Sequence, residues 1–316
     1  MDQELKDVII GGASNYDWKK LQYWVKSIKQ SGFTGDIVIC ATNISGETVR
    51  KLREYDVTIN AYGKPTEDGG FEYDSKTAPH VERFIYIWDF LEKNKEKYRH
   101  VIVTDTRDVL FQCNPSHWLE DNLNLSHTLV ASSEGLAYKH EPWGNKNLLD
   151  TFGKYLYDKY CDNLIYNVGT IAGTVNEVTD LVLLLFQLSV NRSIPIVDQA
   201  VYNFIINLEQ FVHEIKFTNN TDAWAIQLGT TLPAIEAGAG DIGMAAREDK
   251  SVLDDYKELY QDEQPTIEEH EVFAPNGNKY CIVHQWDRVP GLKEKIEKEY
   301  GDDECSEILT FTTSSN

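Results

Sequence analysis

Two carboxylates, Asp105 and Asp108, follow at once on the apolar run Val101-Ile-Val103, with Arg107 between them and Val109-Leu-Phe-Gln112 after. Carboxylate oxygens suit a hard divalent cation such as Mg²⁺ or Mn²⁺, which keeps positions for water and phosphate oxygens. Side chains three apart on a straight strand face opposite sides, so both aspartates can meet one ion only if the chain turns at Thr106-Arg107. A salt-bridged surface turn, with Arg107 neutralising its neighbours, explains the same residues. His284 ends a second apolar run, Tyr280-Cys-Ile-Val283, where a histidine is either a metal ligand or structural. Asp198 opens a helical stretch; it is a candidate base or sugar-hydroxyl ligand, or simply the acid expected at a helix start.

These groups need a scaffold, and the chain alternates in the way that builds one. Asp7–Ser14 reads as a strand entering the glycine pair Gly11-Gly12, and a helix follows with Leu21, Trp24, Val25 and Ile28 on one face. Residues 36–42, 47–55 and 57–60 read as strand, helix and strand, the signature of a parallel sheet with right-handed crossovers. Gly11-Gly12 lacks both the dinucleotide fingerprint and a P-loop lysine; it either admits a base or ribose or is a plain turn. After a long loop over 62–78, a helix from Pro79 turns Val81, Phe84, Ile85, Trp88 and Leu91 inward. His80 and Arg83 stand near its start, where a phosphate can be held, although a surface arginine fits Arg83 as well.

The acidic turn belongs to the end of a buried strand, where open α/β sheets place ligands. Beyond it, 128–133 reads as a strand that Glu134-Gly135 leaves, followed by a helix over 145–160. Residues 164–174 read as one strand whose glycines mark either a bulge or close ligand approach, with the Asn167 amide beside Gly169. Tyr138 and Trp143 are either stacking platforms for a sugar or packing residues. An apolar helix spans 181–188, another opens at Pro195, and short strands lie over 215–220 and 224–228. The stretch 237–240 reads as flexible and 241–271 as poorly patterned.

Composition narrows the class. With 316 residues the chain suits one large α/β domain with an elaborated end. A formal net charge of −21 argues against nucleic acid or an anionic membrane as main partner, since both reward basic patches. After residue 240 there are 19 acidic and 8 basic residues, a pattern of solvated surface. No apolar segment follows Met1, and the five scattered cysteines form no CxxC pair. A reduced cytoplasmic protein without membrane span, disulfide framework or zinc site is expected.

The order Asp105-Thr-Arg-Asp108, Tyr166-Asn-Val-Gly-Thr170, Asp198-Gln199 and Val283-His-Gln-Trp-Asp-Arg288 resembles nucleotide-sugar-dependent glycosyltransferases of the GT-A fold. It is similar in particular to a branch with an Asp-x-Arg-Asp-Val-x-Phe-Gln turn among plant, bacterial and large-virus sequences, over residues 7–290. The resemblance implies a Rossmann-like α/β fold with a mostly parallel central sheet flanked by helices. Residues 1–240 would form the core, 241–300 a C-terminal extension completing the site, and 301–316 a disordered tail.

It implies a hexosyl- or pentosyltransferase that uses Mn²⁺ or Mg²⁺. A UDP-sugar is the expected donor, with a GDP-sugar as alternative, and a hydroxyl of a glycan or other molecule the acceptor. Carried onto this chain, Asp108 ligates the metal, Asp105 binds ribose or the metal shell, and His284 completes that shell. Gly11, Gly12 and Arg83 serve the donor, Asn167 and Gly169 line the sugar side, and Asp198 is the candidate base. Arg107 stands where the common motif has its second acid, which leaves open which aspartate binds metal and whether Arg107 itself neutralises the diphosphate. Two other classes remain: a sugar-phosphate nucleotidyltransferase, and an inactive carbohydrate-binding or scaffold protein on the same fold.

Overall fold

The computed structural model describes residues 5–302. Strand Lys6–Ser14 lies in the middle of an eight-stranded sheet, with Tyr98–Thr104 parallel on one side and Asp36–Thr42 parallel on the other. Thr58–Ala61 extends the parallel run to one edge. On the far side of Tyr98–Thr104 come Thr170–Thr174, antiparallel, then Leu129–Ala137 and Ile215–Thr218, which resume the common direction. The sheet is thus mostly parallel and flanked by helices, as the alternation of elements predicts.

Both faces are covered, which is why the strands read as unbroken apolar runs. Val8, Ile10, Val101 and Val103 pack with the helices Pro79–Asn94, Val175–Ser189 and Asp198–Ile206. The alternate residues Ile9, Ile39 and Ile102 pack with Trp18–Gln30 and Gly46–Glu54. Asp17 and Ser45 cap these last two helices by accepting from Lys20 N and Thr48 N. In Pro79–Asn94 the inward positions are Val81, Phe84, Ile87, Phe90 and Leu91, while Ile85 and Trp88 are only half-buried. That helix packs against both the sheet and Val175–Ser189, so its apolar arc is wider than one stripe predicts.

A second sheet of three strands, Ala225–Gln227, Ile282–His284 and Val109–Phe111, adds to the same side as Trp18–Gln30. Strand Ile282–His284, from residues expected to form a C-terminal extension, lies between one strand that follows the acidic turn and one from residues before 240. No helix among the described residues is long and apolar enough to cross a membrane.

Several boundaries differ from expectation for local reasons. Strand Leu129–Ala137 continues through Glu134, because Gly135 takes φ +73° and leaves room for the Tyr260 ring. The run 164–174 splits into Leu164–Tyr166 and Thr170–Thr174, and Asn167–Gly169 leaves the ladder to bind the acidic turn. Helix Pro142–Tyr160 starts earlier, capped by Glu141 on Trp143 N and Gly144 N. The helix expected from Pro195 begins at Asp198, because Val197 before it takes the non-helical φ −131°, ψ −8°. The stretch 241–271 holds helices Gly240–Glu248 and Ser251–Leu259, whose sparse apolar residues pack around Leu136 and Ile235. Asp302 accepts from Trp18 Nε1 at 2.6 Å and pairs with Lys26; Cys305 and the rest of the expected tail lie outside the described residues.

Candidate active site

The central strand ends at Thr104, residues 105–108 bend, and Val109 starts the next strand. Helix Trp18–Gln30 grips both sides of the bend: Trp24 Nε1 donates to Thr104 Oγ1 at 2.8 Å, and Phe111 N donates to Ser27 Oγ at 3.1 Å. Within the bend, Thr106 Oγ1 donates to Gly12 O at 3.0 Å and Asp105 N to Gly169 O at 3.0 Å. The chain thus turns at Thr106-Arg107 as two carboxylates meeting one ion would require.

His284 arrives by strand pairing. It stands opposite Val109 in the antiparallel ladder, and Gln285 N donates to Asp108 O at 2.7 Å. His284 Nδ1 lies 2.7 Å from Gln227 Oε1; with the amide in this orientation its oxygen can only accept, and the neutral ring carries its proton on Nδ1. Gln227 in turn donates through Nε2 to Thr170 Oγ1 at 3.0 Å. The bare Nε2 faces Asp105 Oδ2 at 3.5 Å and Asp108 Oδ1 at 3.6 Å. A lone pair held among carboxylate oxygens can be satisfied by a proton or by a metal ion between them.

The three residues can present ligand atoms within 4.8 Å of one another. Gly169 makes this convergence possible, since a Cβ there would lie 2.7 Å from His284 Cε1 and 2.8 Å from Asp105 Oδ2. Two hard oxygens and one imidazole nitrogen fit a divalent ion such as Mn²⁺ or Mg²⁺. Burial alone would raise the Asp108 carboxyl; the His284 ring, whenever it carries a second proton, and the Arg107 guanidinium at 2.9 Å hold it well below the usual carboxylate range.

Arg83 is no surface residue. Its side chain is 12% exposed, with Nη1 on Asp105 and Nη2 3.2 Å from Asp198 Oδ2, and its Nε has no partner among the described residues. It ties the acidic turn to the start of helix Asp198–Ile206. Burial pushes its pKa down, while Asp198 acts in the opposite sense. The glycine pair serves these same contacts: a Cβ on Gly12 would lie 2.7 Å from Arg83 Cβ, and one on Gly11 2.3 Å from Thr106 Cγ2. Asn167 donates to Glu134 Oε1 at 2.6 Å and accepts from Gly169 N at 2.7 Å. Tyr138 is fully buried, its hydroxyl donating to Gln199 O at 3.3 Å, so it offers no stacking face; Trp143 is 47% exposed.

Sequence reasoning missed Glu134, Gln199 and Gln227. Glu134 accepts from both Asn167 and Gln199 (2.6 Å each), and burial pushes its carboxyl upward against those two donors. Its only signal in the chain is an acid flanked by small residues, Ser132-Ser-Glu-Gly135, at the end of an apolar run.

Two cavities open here. One of about 310 Å³ lies over Gly12, Ala13, Tyr16 and Thr42; the other, of about 500 Å³, lies over Glu134, Asn167, Gly169, Asp198 and Gln199. They share a wall made of His80, Arg83, Asp105, Arg107, Asp108 and Arg288.

No protein-family model and no curated protein matches the chain. Among solved structures it is similar to an apo structure of WbbM, described as a bifunctional glycosyltransferase, with a TM-score of 0.53 and 11% identity. The match covers 96% of this chain and 50% of that one, so this chain spans about half the length of the protein it matches. At that identity the likeness establishes the architecture alone: an α/β GT-A-like fold, with its mostly parallel central sheet flanked by helices.

Proposed function

We propose that the chain is a metal-dependent glycosyltransferase that moves a sugar from a nucleotide-sugar donor, a UDP-sugar in the first instance, to a hydroxyl of a glycan or other acceptor. The observation that carries this reading is the bare Nε2 of His284 facing Asp105 and Asp108 in the wall between two cavities. Asp105, Asp108 and His284 would hold Mn²⁺ or Mg²⁺, which supplies positive charge to the leaving nucleoside diphosphate.

The protein's own side chains do the rest. The smaller cavity, with Gly12 in its floor and Tyr16 in its wall, takes the nucleoside. The shared wall takes the diphosphate, where Arg107 and Arg288 add fixed positive charge. The larger cavity takes the sugar and the acceptor, with Asn167 and Gly169 shaping its floor. Asp198 uses Oδ2 on Arg83, and no protein hydrogen bond among the described residues falls on Oδ1, which is left to receive an acceptor hydroxyl. A nucleotidyltransferase is disfavoured because Gly11-Gly-Ala-Ser14 carries no basic residue for a triphosphate.

The test is Mn²⁺-supported hydrolysis of UDP- and GDP-sugars by the wild type and by Asp108→Ala. The variant should lose about a hundredfold or more in turnover, the scale of removing one electrostatic stabiliser. Equal turnover in the two proteins contradicts the proposal. Metal-dependent donor binding with no turnover in either would make the chain a carbohydrate-binding protein. Asp198→Asn should lower kcat more than it raises KM if Asp198 takes the acceptor proton.

A further inference from the structure

The larger cavity changes character along its length. At the shared wall three guanidinium groups, Arg83, Arg107 and Arg288, stand with the carboxylates of Asp105 and Asp108. Away from that wall, its charged side chains among the described residues are Glu134, Glu141 and Asp198. Glu141 is already engaged as the cap of helix Pro142–Tyr160. Glu134 differs. It is only 9% exposed, both amide donors converge on Oε1, and no protein hydrogen bond among the described residues reaches Oε2.

Oε2 is left facing the cavity, where a ligand hydroxyl can donate to it. A ligand carboxylate cannot, because it carries no proton to donate and brings a like charge into a poorly hydrated space.

We infer, on the basis of the glycosyltransferase reading, that Glu134 selects the transferred sugar: it accepts a hydroxyl of a neutral hexose, pentose or N-acetylhexosamine and rejects uronic acids. Asn167 and Gln199 are the positioning residues that aim it, each bonded to Oε1 from a different element. The neighbouring Asp198 adds to the same preference.

The experiment is isothermal titration with Mn²⁺ at about pH 8, using UDP, UDP-glucose and UDP-glucuronate, and in parallel GDP, GDP-mannose and GDP-mannuronate. Within the nucleotide series that binds, the uronate should bind at least about tenfold more weakly than the neutral sugar, a difference of about 1.4 kcal/mol. Glu134→Gln keeps an oxygen for Asn167 and Gln199 but removes the charge, and should bring the two ligands within about threefold of each other. Comparing two sugars on one nucleotide makes each protein its own control for folding. Equal binding of uronate and neutral sugar by the wild type overturns the inference, as does an unchanged ratio in Glu134→Gln. Failure of both UDP and GDP to bind overturns the functional reading and this inference with it. That failure is distinguishable, because the free nucleotides carry no sugar.

Discussion

The proton on His284 Nδ1 is the smallest feature on which the site depends. Gln227 Oε1 holds it there, and this leaves Nε2 to face the two aspartates. Gln227→Leu removes the acceptor, frees the ring to change tautomer and should weaken Mn²⁺ binding by about 10–100-fold, the usual effect of losing a partner behind a ligand. Titration of free Mn²⁺ by electron paramagnetic resonance checks this; wild-type affinity in the variant would show that the ring needs no such support. His284→Ala should weaken Mn²⁺ at least as much. Residue types marked Asp105 and Asp108 as candidates at the end of an apolar run, and it was the resemblance to a glycosyltransferase family that joined His284 to them. Glu134 could not be read in the same way. Its setting is created by Asn167 and Gln199, which lie 33 and 65 residues further along the chain.

At the scale of elements, the acidic turn is positioned from several sides. Trp24 and Ser27 hold its flanks from one helix, Gly12 accepts from Thr106, and Gly169 accepts from the Asp105 amide. Gly169→Ala would place a methyl group 2.7 Å from His284 Cε1 and 2.8 Å from Asp105 Oδ2, so one must move. The variant should fold, by far-UV circular dichroism, and lose about tenfold or more in Mn²⁺ affinity, because ligand geometry sets that affinity. Unchanged Mn²⁺ binding would mean that the cradle is not the ion's site. The parallel core was legible because strands buried on both faces are continuous apolar runs. The split at Asn167–Gly169 was not, because it answers to Asp105, more than sixty residues away in the chain. Helices Gly240–Glu248 and Ser251–Leu259 were hidden for another reason: few apolar residues anchor them in a strongly charged stretch.

Across the whole molecule, the fold has a site end and a structural end. At the structural end, opposite the acidic turn on strand Lys6–Ser14, buried Asp7 pairs with Arg99 Nε at 2.7 Å, and His100 Nδ1 lies 3.3 Å away. Burial opposes ionisation, yet these partners lower the Asp7 carboxyl to about 2. A carboxyl depressed in the folded state stabilises the fold above its unfolded pKa, and that contribution fades as pH falls from about 4 toward 2. Asp7→Asn should therefore cost about 2 kcal/mol at neutral pH in urea unfolding, with the gap to wild type closing toward pH 2. A gap that stays constant with pH would show that the Asp7 charge is not the cause. At the site end, thermal melting with UDP or GDP, in Mn²⁺ and then in EDTA, tests for a metal-bridged diphosphate. A ligand at about 100 times its dissociation constant adds about 2.7 kcal/mol, a shift of several degrees. One of these nucleotides should stabilise the protein, an effect that EDTA abolishes and Asp108→Ala lacks. No shift with either nucleotide, or a shift that survives both EDTA and the substitution, would contradict it.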